Sequence, residues 1–325
     1  MQLETLALVR DGVRLGARAW GPSDGPVVVL LHGFPETSAC WASLGAQLGR
    51  AGYRAIAPDQ RGYAMSDAPT AIDAYAIEAL VADAVAWIDA AGAPRAHLVG
   101  HDWGAVVAWM VANDAPDRVD RLVICNGPHP GALLAAWSRP SRQWLRSAYV
   151  AFFQLPALPE WLLTAGDFAL WRWVLARDPL RPPSADEVDA AVAALAVKGL
   201  TGPLHYYRAA RRRAAAVRAR LRCVPAPTLV VWGTRDRYLG PALAVPPAAW
   251  ASAVTVRWLP DASHWVLRDA PDAVADAVLA HLAPATAAGG GAAETGAGGE
   301  SPASGPGLET TPGSDASSSP RSRRR

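Results

Sequence analysis

The sequence predicts an α/β fold: a mostly parallel sheet flanked by helices, interrupted by an inserted block of helices. Three observations carry that prediction. Short apolar runs alternate with helical patterns through the first 125 residues, the arrangement that crossovers over a parallel sheet require. From about 132 to 222 aromatics, prolines and helical stretches dominate with no convincing strand. Two further strand-like runs, TLVVWG at 228–233 and TVRWL at 255–259, then restore the alternation before a closing helical pattern at 271–283.

Taken in order, residues 3–20 read as two strands around Asp11-Gly12, a hairpin signal. VVVLL at 27–31 is a continuous apolar run, as expected of a strand buried on both faces. Helical patterns at 39–51, 75–91 and 104–114 alternate with strands at 54–57, 96–99 and 120–125. The expected organisation is therefore a core of 1–131 and 223–284, a helical cap of 132–222 lying over the sheet's carboxyl edge, and a tail of 285–325. The tail is Ala, Gly, Ser, Thr and Pro, with too little apolar bulk to offset its ordering entropy, and reads as disordered.

Composition narrows the function classes. The chain has 325 residues and a formal charge of +2, so no global field recruits nucleic acid or an anionic membrane. The arginines of RAARRRAAAVRARLR at 208–222 recur at helical intervals and read as a solvated face. Three cysteines without CxxC spacing (Cys40, Cys125 and Cys223) argue against a disulfide framework or zinc site and fit a reducing, cytoplasmic setting. No basic, apolar-cored leader opens the chain, and no apolar run approaches the ~20 residues of a membrane helix.

The chemistry concentrates at LVGHDWGAVVAW, residues 98–109. A strand ends, a tight turn follows, and a helix begins, with Asp102 where a nucleophile elbow most often carries serine. A carboxylate nucleophile needs a histidine to activate water and an acid to orient that histidine. Asp236 follows the TLVVWG strand and His264 follows TVRWL, in the chain order nucleophile, acid, histidine. HGFPE at 32–36 follows VVVLL, and Gly33 permits a sharp turn that aims an amide into the cleft. The N–H groups of Phe34 and Trp103 are the expected oxyanion-hole pair, stabilising charge on the Asp102 carbonyl oxygen when water attacks its ester. His32, His101 and His129 read as packing or loop-bonding residues, Glu36 as a cap of the following turn or a bond within the HGFPE loop, and Asp59 and Arg61 as shaping the loop after a strand.

At HGFPE, GHDWG and the Asp236 and His264 loops the chain resembles the α/β-hydrolase family, and specifically its epoxide hydrolases, over roughly residues 3–283. Two further segments match that family: YVAFFQLP at 149–156 and GPLHYYRA at 202–209. The resemblance implies that Tyr149 and Tyr207 bind the epoxide oxygen. Tyr206 adjoins Tyr207, but adjacent helical side chains point ~100° apart, so only one is expected to face the cleft. It also implies a small apolar epoxide as substrate, with Phe34 and Trp103 lining the cleft, water as second substrate, and no metal or organic cofactor. A homo-oligomer is left open. A haloalkane dehalogenase would use the same aspartate, water and histidine with a halide as leaving group; Trp103 fits both, whereas the tyrosine pair favours an epoxide. Fluoroacetate dehalogenases share HGFPE but set arginines after the nucleophile, where this chain has Trp103, Ala105 and Val106. A non-catalytic binding protein on a hydrolase scaffold is the third reading.

Overall fold

The computed structural model describes residues 3–138 and 140–283; the tail expected at 285–325 lies outside the described residues. Strands β1 (Glu4–Arg10), β2 (Val13–Trp20), β3 (Val27–Leu31), β4 (Arg54–Asp59), β5 (Ala96–His101), β6 (Val119–Cys125), β7 (Thr228–Gly233) and β8 (Val254–Leu259) form one sheet. Its spatial order is β1-β2-β4-β3-β5-β6-β7-β8. The first two strands form the antiparallel hairpin around Asp11-Gly12, and β2 meets β4 antiparallel. Every remaining pairing, from β4/β3 to β7/β8, is parallel.

Side chains alternate across this sheet and divide the core into two layers. Val27, Val29 and Leu31 of β3 pack into the layer that also holds Leu122 and Ile124 of β6 and Val230 and Trp232 of β7. Val28, Leu30, Val123, Leu229 and Val231 point the other way. Helices α1 (Ala42–Arg50), α2 (Ile77–Ala90) and α3 (Trp103–Asp114) follow the strands as crossovers. The first layer is closed by α2 and α3. The second is closed by α1 and by α11 (Pro271–Leu282), which follows the short α10 (Val266–Asp269). Both faces of the central strands are thus buried, which is why their sequences run apolar rather than alternating.

Between β6 and β7 the chain forms helices α4 (Pro130–Trp137), α5 (Arg142–Arg146), α6 (Ala148–Phe152), α7 (Leu158–Arg177), α8 (Ala185–Ala196) and α9 (Thr201–Arg220). The α7 helix is broken at 165–168, where Gly166, Asp167 and Phe168 take positive φ. Ser184 and Glu187 form a capping box that starts α8. At the other end of the block, His129 caps α4 by accepting from the Gly131 N–H at 3.1 Å, and its ring stacks on Trp250. Burial in that packing drops the His129 pKa to about 4, so it stays neutral.

Candidate active site

The parallel strands all deliver their carboxyl ends to one edge, the place where open α/β sheets bind ligands. Phe34 follows β3, Asp102 follows β5, Asn126 follows β6, Asp236 follows β7 and His264 follows β8. Asp102 stands at φ 50°, ψ −116° between β5 and α3. That backbone conformation is sparsely populated for a residue with a Cβ and stores about 1–3 kcal/mol of strain. Its neighbours approach the turn closely. A Cβ on Gly104 would lie 1.9 Å from the Leu31 carbonyl oxygen, and one on Gly33 would lie 2.3 Å from the Asp102 Cβ. Both glycines therefore serve close backbone approach at the elbow.

Asp102, Asp236 and His264 converge. His264 Nδ1 is 2.8 Å from Asp236 Oδ2, and its Nε2 is 3.6 Å from Asp102 Oδ2. Burial alone would depress the His264 pKa, but the carboxylates of Asp236 and Asp102 outweigh it and hold the imidazole well above its ordinary value. Burial likewise opposes ionisation of Asp102, yet His264 and the Phe34 amide more than compensate and keep its carboxyl below the usual range. At rest the two form a carboxylate–imidazolium pair.

The Phe34 N–H donates to Asp102 Oδ1 at 2.9 Å. The Trp103 N–H is the first amide of α3, a position that no intrahelical carbonyl can satisfy. The Phe34 ring packs edge-on to Tyr207 and against Phe153, with centroids 5.5 Å away in each case. The cis Phe34–Pro35 peptide lies in the same loop.

A cavity of about 800 Å³ opens over Asp102, with Trp103, Tyr149, Tyr206 and Tyr207 in its wall. Tyr149 comes from α6 and Tyr207 from α9, and their rings meet edge to face at 6.0 Å. Trp103 stands edge-on to Tyr207 at 5.0 Å. Burial, reinforced by the nearby Asp102 charge, pushes both phenols up, so both remain protonated donors. Tyr206 also borders the cavity, although its hydroxyl turns away to donate to the Arg61 carbonyl at 3.0 Å. The ~100° step thus separates the hydroxyls of the adjacent tyrosines without removing Tyr206 from the wall.

The helical block is fastened to the strand-end loops. Gln143 bonds the Tyr238 carbonyl and the Gly240 N–H, and Arg146 donates to the Asp236 carbonyl at 2.7 Å. On the Tyr207 side, Arg208 pairs with Glu160 and donates to the Phe153 and Leu155 carbonyls. Gln154 reaches the Tyr207 carbonyl at 3.3 Å. The segments carrying the two phenols are thereby tied to each other.

Three buried polar residues extend the site beyond what spacing suggested. His101 bridges the Glu36 carboxylate at 3.0 Å and the His264 carbonyl at 2.9 Å, linking the HGFPE loop to the histidine loop. Burial opposes the Glu36 charge, but the contact with His101 outweighs it and lowers the Glu36 pKa. His32 accepts from the Gln60 N–H at 3.0 Å, a loop bond beneath the same turn. Asn126, fully buried at φ 38°, was not singled out in the sequence. Its Nδ2 donates to Asp236 Oδ2 at 2.7 Å while its Oδ1 accepts from the Gly233 N–H at 2.8 Å. The available signal was its place directly after the 120–125 strand. With the Tyr238 and Leu239 N–H groups on Oδ1, at 2.7 and 2.8 Å, Asn126 and His264 complete the bonding of both Asp236 oxygens. Asn126→Ala is expected to cost about 1–3 kcal/mol of stability by freeing buried partners. If it misorients Asp236 by the worth of one such bond, kcat/KM falls about tenfold. Thermal unfolding and steady-state kinetics check both; wild-type values in each would show the clamp to be idle.

Among the described residues no cluster of His, Cys, Asp and Glu is suited to a metal, and no helix is long and apolar enough to cross a membrane.

Comparison with known proteins agrees with this geometry. The family model described as the alpha/beta hydrolase fold matches residues 26–271. An AB hydrolase superfamily protein, YfhM, of Bacillus subtilis is 36% identical over 274 residues, covering 84% of this chain and 95% of that protein. Epoxide hydrolase 3 of Xenopus tropicalis is 37% identical over 275 residues, covering 81% and 73%. The crystal structure of epoxide hydrolase A from Mycobacterium thermoresistibile superposes with a TM-score of 0.74 at 30% identity, covering 86% of this chain and 98% of that one. On the strand-end site and these matches together, the chain belongs to the α/β-hydrolase superfamily and, within it, to the epoxide hydrolase family.

Proposed function

We propose that this chain hydrolyses an apolar epoxide to a vicinal diol through a covalent ester on Asp102. The observation that carries this reading is the pair of protonated phenols, Tyr149 and Tyr207, lining the same cavity as an ionised Asp102. The relatives named as epoxide hydrolases support it.

In the first step an Asp102 oxygen attacks an epoxide carbon from behind, a C–O ester bond forms, and the ring C–O bond breaks. The ring oxygen leaves as an alkoxide and takes a proton from a phenol. A serine at position 102 would form an ether, which has no carbonyl for water to attack; the ester has one. Ester formation also erases the Asp102 charge. One of the two attractions holding the His264 proton disappears, so its pKa falls; that proton passes to the phenolate left by ring opening, which restores the phenol and leaves His264 neutral just as a base is needed. In the second step His264 takes a proton from water, and hydroxide adds to the ester carbonyl carbon. Charge on the carbonyl oxygen is met by the Phe34 and Trp103 N–H groups. Collapse returns the Asp102 carboxylate and releases the diol, with Asp236 stabilising the imidazolium. Water is the only co-substrate, and the chemistry requires no metal or organic cofactor.

Residues 132–222 serve in this reading as a cap that supplies the phenols and excludes bulk water, over a core formed by 1–131 and 223–284. The free thiols of Cys40, Cys125 and Cys223 suit a reducing compartment, the cytoplasm.

The test compares styrene oxide with a terminal haloalkane, in wild type and in Tyr149→Phe/Tyr207→Phe. Diol formation by wild type is expected to fall about 10²–10⁴-fold in the double variant, the usual worth of general acid catalysis. Halide release that survives the double substitution, without diol formation in wild type, would instead identify a dehalogenase.

A further inference from the structure

The His264 imidazole is flanked by two aromatic rings besides its polar partners. Tyr238 stands edge-on with its centroid 5.2 Å away, and Trp265 edge-on at 5.3 Å. The two rings come from the loops that carry the acid and the base. Tyr238 lies two residues after Asp236, and Trp265 follows His264 directly.

Both loops meet one carboxylate of the helical block. Asp178 is buried at the end of α7, and its Oδ2 accepts from the Trp265 indole N–H at 2.8 Å. Indole is a donor only, so this bond uses its whole polar capacity. Asp178 Oδ1 lies 3.3 Å from the guanidinium of Arg237, the residue after Asp236. That arginine side chain is 71% exposed, so the ion pair contributes little. Burial first, and then the adjacent Asp178 carboxylate, push the Tyr238 phenol up, so its hydroxyl stays protonated there.

A second tie runs from the same stretch of chain. The Arg181 N–H donates to Asp269 Oδ1 at 2.9 Å. Asp269 Oδ2 in turn accepts from the Ser263 N–H at 2.8 Å and from the Ser263 hydroxyl. The residues on either side of His264 are thus anchored to positions 178–181, Trp265 directly and Ser263 through Asp269.

We propose that Asp178 is a positioning residue: by anchoring the Trp265 indole it fixes the plane of the His264 ring, so that the block supplying the phenols also aims the base. The step it serves rests on the epoxide hydrolase reading. Asp178 does not line the cavity over Asp102. Ring opening, which needs Asp102 and the phenols, should not sense its loss. Ester hydrolysis should, because water must sit between His264 Nε2 and the Asp102 carbonyl carbon, and a small rotation of the imidazole spoils that geometry.

The test removes the bond from each end. Asp178→Leu deletes the acceptor at similar size, and Trp265→Phe deletes the donor while keeping a ring. A single turnover with enzyme in excess over styrene oxide, quenched and followed by intact mass, gives the rates at which the ester appears and disappears. In each variant ester loss is expected to slow about tenfold, the rate equivalent of one hydrogen bond, with ester formation within about twofold of wild type. The double variant should be no slower than either single one, since both break the same contact. Asp178→Asn keeps an acceptor oxygen and should recover most of the loss. If Asp178→Leu does not fold, Trp265→Phe decides. A merely structural role would lower both rates together or leave both unchanged, and either result overturns the proposal.

Solvent exchange of the His264 Nδ1 proton, assigned by its absence from His264→Gln, needs no turnover. It should quicken about tenfold in Asp178→Leu and Trp265→Phe and stay near the wild-type rate in Asp178→Asn. A wild type that hydrolyses no epoxide would sink the epoxide reading, and this exchange would still decide the positioning role. Exchange at the wild-type rate in the folded leucine and phenylalanine variants overturns it.

Discussion

Asp102→Asn is expected to lower epoxide turnover by roughly 10⁴-fold or more, the scale on which loss of a covalent nucleophile is felt. An amide lacks the anionic oxygen that displaces the ring oxygen. Asp236 cannot substitute, because its oxygens are held by Asn126, His264 and two backbone amides. The substitution preserves shape, and the Phe34 N–H, which donates to Oδ1 at 2.9 Å, keeps an oxygen to bond. Circular dichroism and binding of the product diol should therefore match wild type while diol formation disappears. A variant that is folded and still turns over at more than about one part in a hundred would remove Asp102 from the role of nucleophile.

His264→Gln should separate the two chemical steps. Ring opening needs the Asp102 carboxylate and the phenols, whereas ester hydrolysis needs a base. One equivalent of epoxide should be consumed in a burst, after which turnover slows about 10²–10⁴-fold. Intact-mass measurement after the burst should show the chain heavier by one substrate molecule. Wild-type His264 is held protonated by two carboxylates, so its removal also withdraws a positive charge from beside Asp102. The carboxyl pKa rises as a consequence, because burial then opposes its charge without the His264 contact that had outweighed it. The burst should thus strengthen as pH rises and weaken in acid. Loss of the burst in parallel with turnover even at alkaline pH would mean that His264 acts before or during ring opening.

Much of the architecture was legible because each strand carries its own signal. VVVLL and TLVVWG run apolar since both faces of β3 and β7 are buried, and the Asp11-Gly12 hairpin announces itself through its turn residues. Asp102, Asp236 and His264 were readable for a related reason. In a parallel sheet every strand's carboxyl end faces one edge, so residues far apart in sequence meet there. What spacing could not supply was side-chain direction. The amide of Phe34 faces Asp102 while its ring meets Tyr207 edge-on, and nothing in HGFPE specifies that rotamer. Asn126 was missed because its partner lies 110 residues away across the β6/β7 pairing. The bridge from Glu36 through His101 to the His264 carbonyl joins three separate loops, each unremarkable alone. Tyr149 and Tyr207 were reachable only through the family resemblance, since aromatic residues on helices ordinarily signal packing. The break in α7 at 165–168 left no clear mark in composition, apart from Gly166.

A single turnover in ¹⁸O-water tests the ester directly. With enzyme in excess over styrene oxide, water should attack the carbonyl carbon, so the heavy oxygen is expected in the carboxyl group of Asp102 and the first diol should leave unlabelled. Peptide mapping would find the label on the segment Gly100–Gly104. Label found wholly in the diol, with none at position 102, would mean that water opens the ring itself and would contradict covalent catalysis by this residue.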